Sequence, residues 1–182
     1  MKICPTLLII SALLGGCSSG EYNAAQEYLT LAPAGPVTRQ DHRIRSFIRL
    51  YDQLDDGALP ELVNDTYADS LYFNDTVVTL HDRQTLLAYL EQTQDHLDEM
   101  EFVALDTLAQ NGDLYVRWRM RTRFTVLGQD RDVQTIGFSH LRFNDKGKII
   151  LHQDFWDSTQ GFYQHIPIIG GLLQWIKKGL HV

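Results

Sequence analysis

Arg117-Trp118-Arg119-Met120-Arg121-Thr122-Arg123-Phe124 sets four arginines one for one against four less polar residues. A strand sends successive side chains to opposite faces, so the arginines share one face and Trp118, Met120, Thr122 and Phe124 the other. Such a sheet buries one face and leaves the other wet or paired. The same period of two runs outward through 100–108, 114–127, 132–143 and 148–157. The breaks between these runs, Asn111-Gly112, Gly128 and Asn144-Asp145-Lys146-Gly147, are turn chemistry that predicts antiparallel hairpins.

Upstream of Glu99 the apolar spacing becomes helical. Ile44, Phe47, Ile48, Tyr51 and Leu54 share one face of a helix that Thr38 and Asp41 open like a capping box and Gly57 ends. Pro60 fits the first turn of a short second helix with Leu62, Val63 and Tyr67 inward. A short strand, Leu71-Tyr72-Phe73, follows. Asp82 then caps a third helix that turns Leu86, Leu87, Leu90 and Leu97 to its buried side. Helices first and a meander afterwards predict an α+β fold, in which three N-terminal helices cover the concave face of a curved antiparallel sheet.

The first residues follow other rules. Met1-Lys2 leads into the apolar run Leu7–Leu14, shorter than the roughly 20 residues that span a bilayer, and this predicts a secretory signal. Leu14-Gly15-Gly16-Cys17 resembles the bacterial lipobox, with small residues before the scissile bond and a thiol to acylate. Residues 1–16 are then a signal peptide and Cys17 is the lipidated first residue of the mature chain. Ser18 stands where the inner-membrane retention signal has Asp, so the resemblance implies a lipid anchor in the outer membrane, facing the periplasm. Residues 17–37, with Leu31-Ala32-Pro33-Ala34-Gly35-Pro36, read as a flexible tether reaching about 25 Å. The folded domain is expected over 38–160, and 161–182 forms a separate C-terminal segment.

The chain has 182 residues and a formal net charge of −7, enough length for one domain with a real core. An acidic balance argues against a nucleic-acid partner, because phosphate binding needs a basic surface. Both cysteines, Cys4 and Cys17, fall in the leader and the lipobox. The folded part is left with no disulfide, thiolate nucleophile or cysteine metal site.

Tyr67-Ala68-Asp69-Ser70-Leu71-Tyr72-Phe73-Asn74-Asp75 is similar to the stretch of ketosteroid isomerases that ends at their general base. Arg142-Phe143-Asn144-Asp145-Lys146-Gly147-Lys148-Ile149 resembles the last hairpin of the same superfamily, and Phe155-Trp156 follows at the usual distance. With the order of elements, residues 40–160 resemble the nuclear transport factor 2-like superfamily, which includes ketosteroid isomerases, SnoaL-like polyketide cyclases and many binding modules. The resemblance implies a cone-shaped domain with a pocket. Carried over, Asp75 falls on the isomerase base and Tyr51 on the tyrosine that donates to the developing oxyanion. The isomerases' third residue, a protonated aspartate, falls on Ser139. A serine hydroxyl stabilises an enolate less than a carboxylic acid kept neutral by its apolar site, which argues against steroid isomerisation.

The residues themselves also predict a polar pocket. Tyr51 lies on the apolar stripe of its helix, so its hydroxyl needs an internal partner. Ile150, His152, Asp154 and Trp156 share a face by period two, and a tight turn at 144–147 would set Ser139 near His152. Trp118, Met120, Phe124 and Trp156 supply apolar walls, among which a carboxylate would be pushed towards neutrality. Candidate catalytic residues are therefore Tyr51, Asp75, Asp154 and His152, with Trp118, Met120, Phe124, Ser139 and Trp156 as ligand contacts. Each has a plainer reading. Tyr51 could be a core tyrosine, Asp75 a turn cap and His152–Asp154 a structural hydrogen bond. The other histidines show no metal-ligand spacing, and no cofactor is implied.

Two surfaces complete the reading. The arginine face is either solvated, balanced by acids such as Asp130 and Asp132, or buried between two copies of the chain; lipid headgroups are a third contact for it. After Pro167, Ile168, Ile169, Leu172, Leu173, Ile176 and Leu180 form one helical stripe with Trp175, Lys177 and Lys178 near its end. That helix either packs on the sheet and closes the cone mouth, or lies on the membrane. Three functions fit: an envelope lipoprotein binding a small, largely apolar ligand; an acid–base isomerase or cyclase acting on a carbonyl compound; or a non-catalytic envelope scaffold.

Overall fold

The computed structural model describes residues 24–54 and 57–180. The signal peptide, Cys17 and the first part of the expected tether lie outside the described residues. Helices α1 (Ala24–Leu31), α2 (His42–Asp52) and α3 (Leu59–Thr66) precede strands β1 (Tyr67–Asn74) and β2 (Thr79–Asp82) and helix α4 (Arg83–Asp95). The meander β3 (Glu99–Gln110), β4 (Asp113–Val126), β5 (Gln129–Phe143) and β6 (Ile149–Trp156) follows, then α5 (Ser158–Gly161), a short turn of helix at Tyr163–His165 and α6 (Pro167–Gly179). The strands form one curved sheet in the order β2-β1-β6-β5-β4-β3. No described helix is long and apolar enough to cross a membrane.

The alternation at 117–124 does what its period requires. Trp118 packs into the core shared by α2, α3, α4 and the sheet, with Phe47, Leu50, Tyr67, Phe73, Leu86, Phe102, Leu141 and Ile149. Burying each of the large apolar side chains contributes roughly 1.5–3 kcal/mol. The arginines on the opposite face are paired: Arg117 with Asp106, Arg119 with Glu101, Arg121 with Asp132 and Arg123 with Glu99. Each acid lies on a neighbouring strand, so the face is neutralised across the ladder. Of the two acids expected there, Asp132 takes an arginine, whereas Asp130 accepts from Thr125.

Several expectations need correction. The sheet is not wholly antiparallel, because β1 runs parallel to β6, with Phe73 opposite His152. The first of the three covering helices starts one residue after Asp41, whose carboxylate accepts from the Arg43 amide at 2.9 Å. Thr38 does not cap it; its amide donates to Thr107 Oγ1 on β3. A short strand, β2, ends at Asp82, and Leu97 lies beyond the end of α4. Ile150 does not share the inner face of β6. Phe143 pairs with Ile149 and Arg142 with Leu151, and this bulge turns Ile149, rather than Ile150, into the core.

The expected tether is structured over residues 24–37. Arg117, only 7 % exposed, donates to Tyr28 Oη of α1 at 3.0 Å and to the carbonyls of Ala32 and Pro33 at 3.0 and 2.8 Å. Gly35 donates to the Leu105 carbonyl, and the Thr107 amide donates to the Pro36 carbonyl. Prolines cannot continue a helix, but an extended strip can hydrogen-bond along an edge strand. At the other end, α6 does not cover the sheet: Ile169, Leu172, Trp175, Ile176 and Leu180 are all exposed.

Candidate functional site

Between the sheet's inner face and helices α2 and α4 lies a cavity of about 440 Å³, within the range of small-molecule sites. Its walls are mainly apolar: Phe47, Phe73, Met100, Phe102, Trp118, Met120, Phe124 and Trp156 line it, and Phe162 stands at its rim. Trp118 lies flat across Gly137 of β5, where even a methyl carbon would come within 2.3 Å of the indole. The missing side chain lets the ring reach across to Ser139.

The polar groups gather at one end in a single chain. Trp118 Nε1 donates to Ser139 Oγ at 2.9 Å, and Ser139 donates to Asp154 Oδ1 at 2.6 Å. His152 Nε2 meets the same oxygen at 2.7 Å, while its Nδ1 lies 2.6 Å from the Tyr67 hydroxyl. The Tyr51 hydroxyl is 3.3 Å from that of Tyr67. Burial raises the pKa of both tyrosines well above its ordinary value, reinforced by the negative charge of Asp154, so both remain O–H groups. The His152 tautomer that carries its hydrogen on Nε2 lets the bonds run one way: Tyr51 donates to Tyr67, Tyr67 to Nδ1, and Nε2 to Asp154. Asp154 Oδ2 receives no donor from the described residues, and Asp154 lines the cavity.

A second polar group sits at the end of β1, the strand beside β6. Asp75 Oδ1 accepts from the amides of Val77 and Val78, both at 2.9 Å, and Oδ2 accepts from the Tyr89 hydroxyl at 2.5 Å. The Asp75 carbonyl accepts from Trp156 Nε1 at 2.6 Å. Burial, and then the nearby charge of Asp75, keep the Tyr89 hydroxyl protonated.

The residues singled out from the sequence are thus brought to one place. Tyr51, Asp75, Trp118, Met120, Phe124, Ser139, Asp154 and Trp156 all line the cavity. His152 does not; it is fully buried behind Asp154. Ser139 faces Asp154 rather than His152, because the β5–β6 register pairs Ser139 with Asp154 and Leu141 with His152. Cys17 lies outside the described residues. Sequence reasoning missed Tyr67 and Tyr89 as site residues. Tyr67 was visible as an inward residue, and Tyr89 stands one helical turn after Leu86, but neither polar partner could be read locally. Among the described residues no group of three histidine, cysteine or acidic side chains is placed to hold a metal ion.

The model of the family described as "SnoaL-like domain" matches residues 47–152, the span that contributes most of these walls and the polar chain up to His152. A search of curated proteins finds no match. Among solved structures, a candidate SnoaL-like polyketide cyclase from Jannaschia sp. CCS1 is similar over 69 % of this chain and 90 % of its own, at 14 % identity and a TM-score of 0.55. An epoxide hydrolase of the LEH-like type from M. tuberculosis matches over 69 % and 88 %, at 16 % identity and a TM-score of 0.54. A nuclear transport factor 2-like protein of unknown function from Exiguobacterium sp. 255-15 matches over 63 % and 98 %, at 15 % identity and a TM-score of 0.54. At these identities the likeness is one of fold.

Proposed function

This chain belongs to the SnoaL-like domain family, and we propose that it is an envelope lipoprotein whose cavity binds a small, largely apolar ligand. The observation that carries this reading is the cavity itself: about 440 Å³ of mostly aromatic and aliphatic wall with one carboxylate oxygen, Asp154 Oδ2, left without a described protein donor. Such a site takes an apolar body and orients it through one polar group. The lipobox-like Leu14-Gly15-Gly16-Cys17 supports the anchor, and Ser18 supports an outer-membrane, periplasm-facing location.

One arrangement favours a second reading, proton transfer. Asp154 is backed by the His152–Tyr67 pair and faces an apolar cavity, the setting of a general base that acts next to a carbonyl. This shifts the acid–base alternative from Asp75 and Tyr51 to Asp154. Both oxygens of Asp75 already accept hydrogen bonds, and the Tyr51 hydroxyl already shares a hydrogen bond with that of Tyr67.

Native mass spectrometry of the protein purified from an envelope extract without added ligand tests the binding reading. A retained apolar molecule is expected, and Met120→Trp, which fills the cavity from its wall, should release it without unfolding the domain. Protein that is empty from every extract would overturn the reading. An Asp154→Asn variant that keeps the adduct but no longer converts it would establish the second reading.

A further inference from the structure

Beyond the cavity, the least explained feature is apolar surface at its rim. Ile169, Leu172, Trp175 and Ile176 follow one another along α6 at helical spacing and Leu180 continues the stripe just past its end, with exposures from 39 to 72 %. A contiguous exposed stripe of this kind marks an interaction site. The helix starts at the cavity mouth. Phe162 lines the cavity and is 40 % exposed, and the His165 ring meets Phe124 of β4 edge-on at 5.8 Å between centroids.

The β4–β5 turn, three residues beyond Phe124, adds an independent oddity. Leu127 there has φ 49° and is 83 % exposed. The β3–β4 turn meets the same backbone demand with Asn111-Gly112 at φ 54° and 86°, the residues such turns favour. A leucine in the left-handed region is strained, and at 83 % exposure it recovers little of that cost from packing within the chain.

Charge selects the occupant. Residues 161–182 hold Lys177 and Lys178 and no acidic residue, in a chain of net charge −7. An amphipathic helix with lysines and a tryptophan at its end suits the interface of an anionic bilayer, where the apolar face sinks about 5–10 Å below the headgroups. We propose that Leu127, Phe162 and the apolar face of α6 form one lipid-docking rim, through which the cavity takes its ligand directly from the bilayer. The ligand class is then an apolar molecule that partitions into membranes. The docking rests on the rim alone, and the ligand's route rests on the proposed binding function. If Cys17 is the anchor, the chain from there to the docked Ala24 spans at most about 25 Å at full extension. The domain would then be held at the membrane, raising the effective concentration of lipid available to the rim.

Fluorescence of the full-length chain on vesicles of phosphatidylethanolamine and phosphatidylglycerol, with and without bromine on the acyl chains, tests the docking. Of the three tryptophans, Trp118 is buried, Trp156 half-buried and Trp175 72 % exposed. Brominated lipid should quench the emission, and Trp175→Phe should abolish most of that quenching. The pair Leu127→Asp and Leu172→Asp should slow transfer of phenylnaphthylamine from vesicles to the protein about tenfold, given the loss of apolar insertion, while leaving its equilibrium binding unchanged. Unquenched Trp175 alongside normal phenylnaphthylamine binding would overturn the docking and spare the proposed function. Quenching without phenylnaphthylamine binding would sustain the docking and overturn the ligand route together with the binding function. A dimer that shields Trp175 in the absence of lipid would assign the face to a second copy of the chain and overturn the proposal.

Discussion

Asp75 holds a loop as well as a wall of the cavity. Its Oδ1 accepts from Val77 and Val78, while Asn74 accepts from the amide of Thr76. Between them Thr76 sits at φ 74°, a conformation a β-branched residue adopts only when its surroundings impose it. Removing the carboxylate leaves two amides without an acceptor and the strained residue without a clamp. Asp75→Ala should therefore destabilise the protein by about 1–3 kcal/mol, read as a lower melting temperature, while Asp75→Asn keeps Oδ1 and most of the stability. An unchanged or higher melting temperature in Asp75→Ala would show instead that the carboxylate is kept for chemistry. The isomerase resemblance points to Asp75, and Asp75 lines the cavity. What it could not supply is the identity of its neighbours, because Tyr89 and Trp156 reach it from α4 and from β6.

Among the elements, α1 shows how far local signals extend. Eight residues are too few to hold a helix by propensity alone, and Ala24–Leu31 gains its order from Arg117, 89 residues on from Tyr28. The alternation predicts where Arg117 points; it does not predict that a proline-rich strip will lie beneath it. Arg117→Ala leaves Asp106 and two carbonyls unpaired, so a loss of roughly 2–3 kcal/mol is expected. Residues 24–37 should become the first site of limited proteolysis. If that strip stays as protected as in the parent, the clamp is not what orders it. Strand β2 escaped notice for a related reason: four residues carry too little pattern to stand apart from a loop.

At the scale of the molecule, three tyrosines, Tyr67 buried and Tyr51 and Tyr89 partly so, tie the interior to alkaline pH. Burial raises Tyr51, Tyr67 and Tyr89 above their ordinary value of 10.0. A folded-state pKa above the unfolded one means that their contribution is complete below about pH 10 and is lost as pH rises beyond it, when the unfolded chain ionises first. The urea midpoint should be level up to about pH 10 and then fall steeply, with a shallower fall in Tyr51→Phe. A midpoint that declines identically in the variant would mean that Tyr51 is not coupled to folding.

Period, caps and turn dipeptides were enough to determine a helical half, a meander half, which face of β4 is dry and which side chains turn towards a common interior. Those are local properties, set by how backbone geometry spaces side chains. Tertiary structure alone decided the rest. A turn that sets Ile149 rather than Lys148 opposite Phe143 and the bulge at Ile150 each shifted the register by one residue and together moved Ser139 from His152 to Asp154, the parallel β1–β6 pair brought Tyr67 to His152 across 85 residues, and the folding-back of 24–37 fastened the latter part of a tether. Each depends on register or on a contact between distant segments, and a period repeats identically in every register.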